Sequence, residues 1–148
     1  PWGILILFGG GIALGRGFLD SGLAARIAGG MNLFAGAPVV VLVAATALVV
    51  TFLTEITSNT AIATIFLPIL GATAVGLGVH PFLLMIPAAI SASCAFMLPV
   101  ATPPNAIVFG SGAVPMTSMV RAGLIMNFIG VVLATLVVHL IAVPVFNI

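Results

Sequence analysis

The chain has 148 residues, 63% of them hydrophobic and 3% charged, with a net charge of +1. A soluble domain carries about 25% charged residues, so these few cannot cover a water-facing surface. The fold class expected is an all-α polytopic membrane protein, with lipid as its solvent. The charge excludes a basic surface for nucleic acid, and the single cysteine, Cys94, excludes an internal disulfide and a multi-cysteine metal site. Barrel strands alternate apolar and polar residues, whereas "APVVVLVAATALVV" (residues 37–50) is apolar almost throughout. The start, "PWGILILFGGG", lies inside an apolar run without Met, and the chain reads as a fragment of a longer protein.

Residues 1–19 form the first expected transmembrane helix, with Gly9, Gly10, Gly11, Gly15 and Gly17 suited to close helix approach. The glycines resemble a phosphate loop, but the Gly-Lys-Ser/Thr ending of that motif is missing. Residues 20–37 read as an interfacial helix and linker, with Arg16 just before it and Asp20 and Arg26 within it. Next comes residues 38–71, with the polar cluster "TEITSNT" (residues 54–60) in its middle. The apolar part after the cluster, Ala61–Leu70, counts about ten residues before Gly71 and is too short to cross a bilayer at 1.5 Å per residue. Two solutions stand side by side: a re-entrant hairpin turning at Ser58-Asn59-Thr60, or two full spans with the second running through Pro68 to Val79. Residues 82–112 read as a transmembrane helix broken by Pro99, Pro103 and Pro104, and 116–148 as the last transmembrane helix.

Backbone leaves the helix at membrane depth only where it is buried or lines a wet cavity. Two such interruptions rich in Ser, Thr and Asn point to a transporter binding site. At the first, Ser58, Asn59 and Thr60 open the helix "TAIATIFL", whose free N–H groups and dipole favour an anion without a cationic side chain. At the second, Ala101-Thr102-Pro103-Pro104-Asn105, proline removes donors, so unpaired carbonyls and the Thr102 hydroxyl are expected to suit a small hard cation such as sodium. The alternative is a capped turn and a Pro-rich loop with no ligand. Glu55 is either a surface residue before a turn or a costly intramembrane carboxylate, acting as structural acceptor, cation partner or proton carrier. His80 reads as a loop residue. His139, Asn127 and Thr135 read as helix-packing hydrogen-bond groups, and Ser91 and Ser93 as candidates to line the cavity. No activated serine, carboxylate pair or metal constellation indicates an enzyme, and no cofactor is expected.

"TEITSNTAIATIFLPI" (54–69) and "CAFMLPVATPPNAIVFGSG" (94–112) resemble the C-terminal repeat of the divalent anion–sodium symporter family, which carries dicarboxylates, citrate or sulfate. The resemblance covers essentially the whole chain. It implies two inverted repeats, each with a re-entrant hairpin and a broken helix, so the hairpin is the expected form of 38–71. It further implies homodimers, an elevator motion and a multi-pass place in the cell membrane. Substrate contacts implied are Asn59, Thr60 and Pro103, with Ser58 and Thr102 supporting them. One sodium site is implied at Thr54, Asn59 and the carbonyls of Thr57 and Ala101, with sodium as coupling ion, and a structural place at the hairpin tip for Glu55. The other SNT motif, half of the substrate site and the other sodium site belong to an N-terminal repeat that this chain lacks. The chain alone is therefore expected not to transport. The alternatives are an exchanger or sulfate carrier of the same fold, or a structural subunit without a transport role.

Overall fold

The computed structural model describes residues 36–56, 59–99 and 101–148, together with 13, 17 and 20–22. The helix expected over 1–19 and the interfacial segment over 20–37 lie almost wholly outside the described residues. Helix α1 is Val39–Ile56, α2 Asn59–Gly76, α3 Phe82–Ser91, α4 Pro103–Gly110 and α5 Met116–Val137. A π-helical turn, Val138–Ala142, continues α5 into a last short helix, α6, Val143–Phe146. No strand occurs among the described residues.

α1 is rich in β-branched residues, which are middling helix formers in water. In an apolar solvent the backbone must pair with itself, and the helix is the local way to do so. Two helices among the described residues are long and apolar enough to cross a membrane: Val39–Ile56, with mean hydropathy 2.4, and the rod Met116–Phe146, with mean hydropathy 2.6.

The second arm of the 38–71 segment differs from the expectation. α2 does not end before Gly71 but runs 18 residues to Gly76, about 27 Å at 1.5 Å per residue. Gly71 lies inside the helix, against Met85; a Cβ there would lie 3.1 Å from the Met85 Sδ. Arm length therefore does not separate a hairpin from two spans.

α3 is the hub. It runs parallel to α1, as the pairing of Val43 with Leu83 and of Val50 with Ala88 and Ala92 requires. α2 returns antiparallel, so that Ile62 joins Val50 at one end and Ala74 joins Leu42 and Leu84 at the other. α5 covers the remaining side of α1, antiparallel to it: Phe52 meets Phe128 edge to face, Ala47 meets Val131 and Ala134, and Val43 meets Val138 and Ala142. These pairings place the C-terminal end of α1, the C-terminal end of α3 and the middle of α5 at one level. The outer face of α5, including Ile125, Phe128 and Val132, is exposed and apolar.

α3 stops at Ser91, well before the prolines expected to stop it. Two tight turns close it, Ser93 N–H to the Ile90 carbonyl and Cys94 N–H to the Ser91 carbonyl. The chain then stays non-helical to Thr102, where α4 begins.

Candidate functional site

The two interruptions meet. Thr54, fully buried in the last turn of α1, has its hydroxyl against two acceptors: Oδ1 of Asn59, the first residue of α2, and the carbonyl of Ala92, at 3.0 Å. A hydroxyl has one proton and can donate to only one of them at a time. Three neutral polar groups, from α1, α2 and the start of the break, thus converge. Hard oxygen donors of this kind fit a small cation. Thr57 and Ser58 lie outside the described residues.

Glu55 is 3% exposed, which excludes the surface position. Its carboxylate accepts from three consecutive backbone N–H groups of the break. Oε1 takes Phe96 at 2.8 Å and Met97 at 2.9 Å, while Oε2 takes Met97 at 3.1 Å and Leu98 at 3.0 Å. The amide of Asn127 on α5 donates to Oε1 at 2.7 Å. This explains the early end of α3: the N–H groups of residues 96–98, which a longer helix would direct back along itself, are claimed by a stronger, charged acceptor. Hydrogen bonds to charged groups contribute roughly 1.5–3 kcal/mol each. Four donors therefore offset the roughly 2.5–3.5 kcal/mol that a carboxylate costs at mid-membrane.

Two carbonyls of the break are paired by a side chain. Asn105 Nδ2 donates to the carbonyls of Ala95 at 3.0 Å and Leu98 at 3.1 Å. Thr102 caps α4 by accepting from the Asn105 N–H at 3.4 Å, and Pro103 and Pro104 occupy the first turn, where no N–H donor is needed. The break is thus held from both sides, its N–H groups by Glu55 and two of its carbonyls by Asn105.

α5 accommodates this with a glycine. A Cβ on Gly123 would meet the Phe96 carbonyl and lie 2.5 Å from the Met97 Cα, closer than any side chain allows. Gly123 and Asn127 stand one turn apart, one admitting the break and the other bonding the carboxylate that holds it.

The structure brings Thr54, Asn59 and Glu55 together with the break. Asn59 is half-buried and Thr60 exposed at the start of α2; Ala101 is buried, Thr102 half-buried and Pro103 exposed. The carbonyl that meets Thr54 is that of Ala92. Sequence reasoning missed Ala92, the Phe96–Leu98 amides, Asn105 and Gly123. Of these, Asn105 alone carried a signal, as the polar end of the Pro-Pro-Asn run. Of the residues read as packing groups, Asn127 does bond across helices. Thr135 instead bonds its own helix at Val131, and His139 is exposed. Ser91 is buried and Ser93 exposed. Two clefts, one of about 200 Å³ between α1 and α2 beside Phe66 and Leu70, the other of about 250 Å³ beside Cys94 and Gly130, are apolar and offer no ligand to an ion.

Comparison with known proteins agrees with this polar junction in an apolar chain. Residues 1–148 match the family described as the sodium:sulfate symporter transmembrane region. A sodium-dependent dicarboxylate transporter, SdcS, of Staphylococcus saprophyticus is 51% identical over 148 residues, all of this chain and 28% of that protein. The SdcS of Staphylococcus aureus strain MRSA252 is 49% identical over 141 residues, 95% of this chain and 27% of that protein. The chain spans little more than a quarter of the length of these relatives. It belongs to the sodium:sulfate symporter transmembrane family, a family of membrane transporters and not of enzymes.

Proposed function

We propose that the full-length protein is a secondary transporter that moves dicarboxylates, or citrate, across the cell membrane coupled to sodium. This chain is its C-terminal repeat. The observation that carries the reading is the gathering of Thr54 Oγ1, Asn59 Oδ1 and the Ala92 carbonyl at the start of α2, beside a break held by Glu55. In this reading α1 and α2 form a re-entrant hairpin with Glu55 structural at its tip. Thr54, Asn59 and the carbonyls of Thr57 and Ala101 hold sodium, and Ala92 adds a carbonyl. Asn59 and Thr60 present the start of α2 to a substrate carboxylate, as a helix N-terminus does for anions. Pro103 lines the same pocket, and Ser58 and Thr102 support the tip and the break. A missing N-terminal repeat supplies the other half-site, and the assembled protein works as a homodimer by an elevator motion. The names of the S. saprophyticus and S. aureus relatives support the dicarboxylate and the sodium.

The family's description favours a second reading, in which sulfate is the cargo. Both are tested with full-length protein in proteoliposomes. Succinate uptake is expected to follow an inward sodium gradient, to vanish in choline, and to be lost in Asn59→Ala with expression intact. Uptake indifferent to sodium overturns the coupling. Uptake of sulfate but not succinate selects the second reading.

A further inference from the structure

Asn127 is fully buried, and its partner sets the orientation of its amide. Nδ2 donates to the Glu55 carboxylate at 2.7 Å, whereas the flipped amide would aim an oxygen at an anion. Oδ1 therefore points away from Glu55, buried and without a donor. Three fully buried hydroxyls share that condition: Thr51 Oγ1, Ser91 Oγ and, on α2 and outside this group, Thr73 Oγ1. Thr51 lies one helical turn before Glu55, on the same face of α1. Ser91 is the neighbour of Ala92, whose carbonyl meets Thr54. α1, α3 and α5 pack on one another, so the register places the Thr51, Ser91 and Asn127 oxygens at the level just below the carboxylate. Other hydroxyls on the helices find a backbone partner. Thr64 and Thr135 turn theirs onto the carbonyl one turn earlier, at 2.7 Å in both cases.

We propose that Thr51, Ser91 and Asn127 form a cation site of neutral oxygens beneath Glu55, distinct from the Thr54–Asn59 cluster and suited to a small hard monovalent ion. The choice of sodium as that ion rests on the sodium-coupled reading above. Two physical arguments favour a cation over a water molecule. The oxygens of Glu55 are occupied by neutral donors, so its negative charge is hydrogen-bonded but not neutralised, and the described basic side chains Arg121, His80 and His139 are all exposed. A cation one amide away supplies the missing charge, which water cannot. The Asn127 amide, donating to an anion, is also polarised so that Oδ1 carries more negative charge, which makes it a better ligand.

The test is sodium-dependent thermal stabilisation of the full-length protein in detergent, titrating sodium chloride against choline chloride at constant ionic strength. Thr51→Val and Ser91→Ala are each expected to raise the sodium concentration for half-maximal stabilisation about tenfold, the lower end of what losing a site's supporting group does, and to flatten the titration. Thr54→Val reports separately on the tip cluster. If Thr54→Val abolishes the sodium response while Thr51→Val and Ser91→Ala leave the midpoint unchanged, this site is overturned and the coupled reading stands. If both variants melt earlier by the same amount in sodium and choline, the oxygens hold water or merely pack, and the site is again overturned. A wild-type protein without any sodium response overturns both readings. Should Thr51→Val not fold, Thr51→Ser, which keeps the hydroxyl, is expected to retain the wild-type midpoint, and a loss there refutes the role of that oxygen.

Discussion

Replacing Glu55 by glutamine keeps the size of the side chain and removes one acceptor and the charge. In the native arrangement Oε1 takes Phe96, Met97 and Asn127, and Oε2 takes Met97 and Leu98. If the glutamine carbonyl takes the Oε1 place, its NH2 group faces the Leu98 N–H, donor against donor. That buried N–H loses its partner, at about 1–3 kcal/mol. The three remaining bonds fall from the charged range of roughly 1.5–3 kcal/mol to the neutral range of roughly 0.5–1.5 kcal/mol each. Against this, the variant no longer buries a charge, a relief of roughly 2.5–3.5 kcal/mol. The net loss is about 2–3 kcal/mol in the free energy that keeps the break closed.

Amide hydrogen exchange over residues 96–98 reads that loss directly, because these N–H groups are the ones bonded. A change of about 2.7 kcal/mol corresponds to roughly a hundredfold faster exchange in Glu55→Gln, while α1 and α5 keep their protection. Glu55→Asp, too short to reach all three amides, is expected to fall between. Equal protection of residues 96–98 in wild type and Glu55→Gln would refute the assignment of Glu55 as the acceptor that holds the break.

Two glycines make opposite predictions for the same substitution. Gly123→Ala places a Cβ 2.5 Å from the Met97 Cα, and backbone cannot yield as a side chain does. The expected destabilisation is about 1–3 kcal/mol, seen as a lower melting temperature and faster exchange over residues 96–98. Gly71→Ala meets only the Met85 thioether, at 3.1 Å. A flexible methionine moves aside and alanine favours the helix by roughly 0.5–1 kcal/mol, so the melting temperature is expected to hold or rise slightly. Asn105→Ala leaves the Ala95 and Leu98 carbonyls without their donor; a loss of about 1–3 kcal/mol is expected, with protection lost around the break before it is lost in α3.

How much of this was legible in the sequence follows from the range of each interaction. The polar run at residues 54–60 and the Pro-Pro-Asn run are local signals: the first marks where α1 ends and α2 begins, the second where α4 begins. The Thr102 cap of α4 follows from capping chemistry that spans three residues. The end of α3 at Ser91 does not. Nothing in "AAISASCAF" stops a helix; the stop comes from a carboxylate on another helix, forty-odd positions away in the chain. The extension of α2 through Gly71 is likewise unmarked in the sequence, and Gly123 looks like any small residue of a membrane helix until the break is laid against it. Asn127 could be read as a packing group, but its partner could not, since choosing Glu55 requires knowing that α1 and α5 are antiparallel.

The manner in which Glu55 is satisfied bears on how a site beside it works. A buried carboxylate paired with arginine would be electrically neutral and would leave its neighbourhood indifferent to the sign of an ion. Here the donors are three peptide groups and one amide. They carry no net charge, so the negative field of the carboxylate persists at the adjacent Thr54 and across to Asn59. The start of α2 has the opposite preference, since its free N–H groups favour an anion. In the sodium-coupled reading these fields oppose each other at one place while the cation is absent: the helix end attracts a carboxylate and Glu55 repels it. A cation held by the Thr54, Asn59 and Ala92 oxygens cancels the repulsion and leaves the attraction. Coupling then needs no large rearrangement at the tip. It follows from a fixed negative charge and a helix N-terminus built within one turn of each other, with the ion as the term that decides between them.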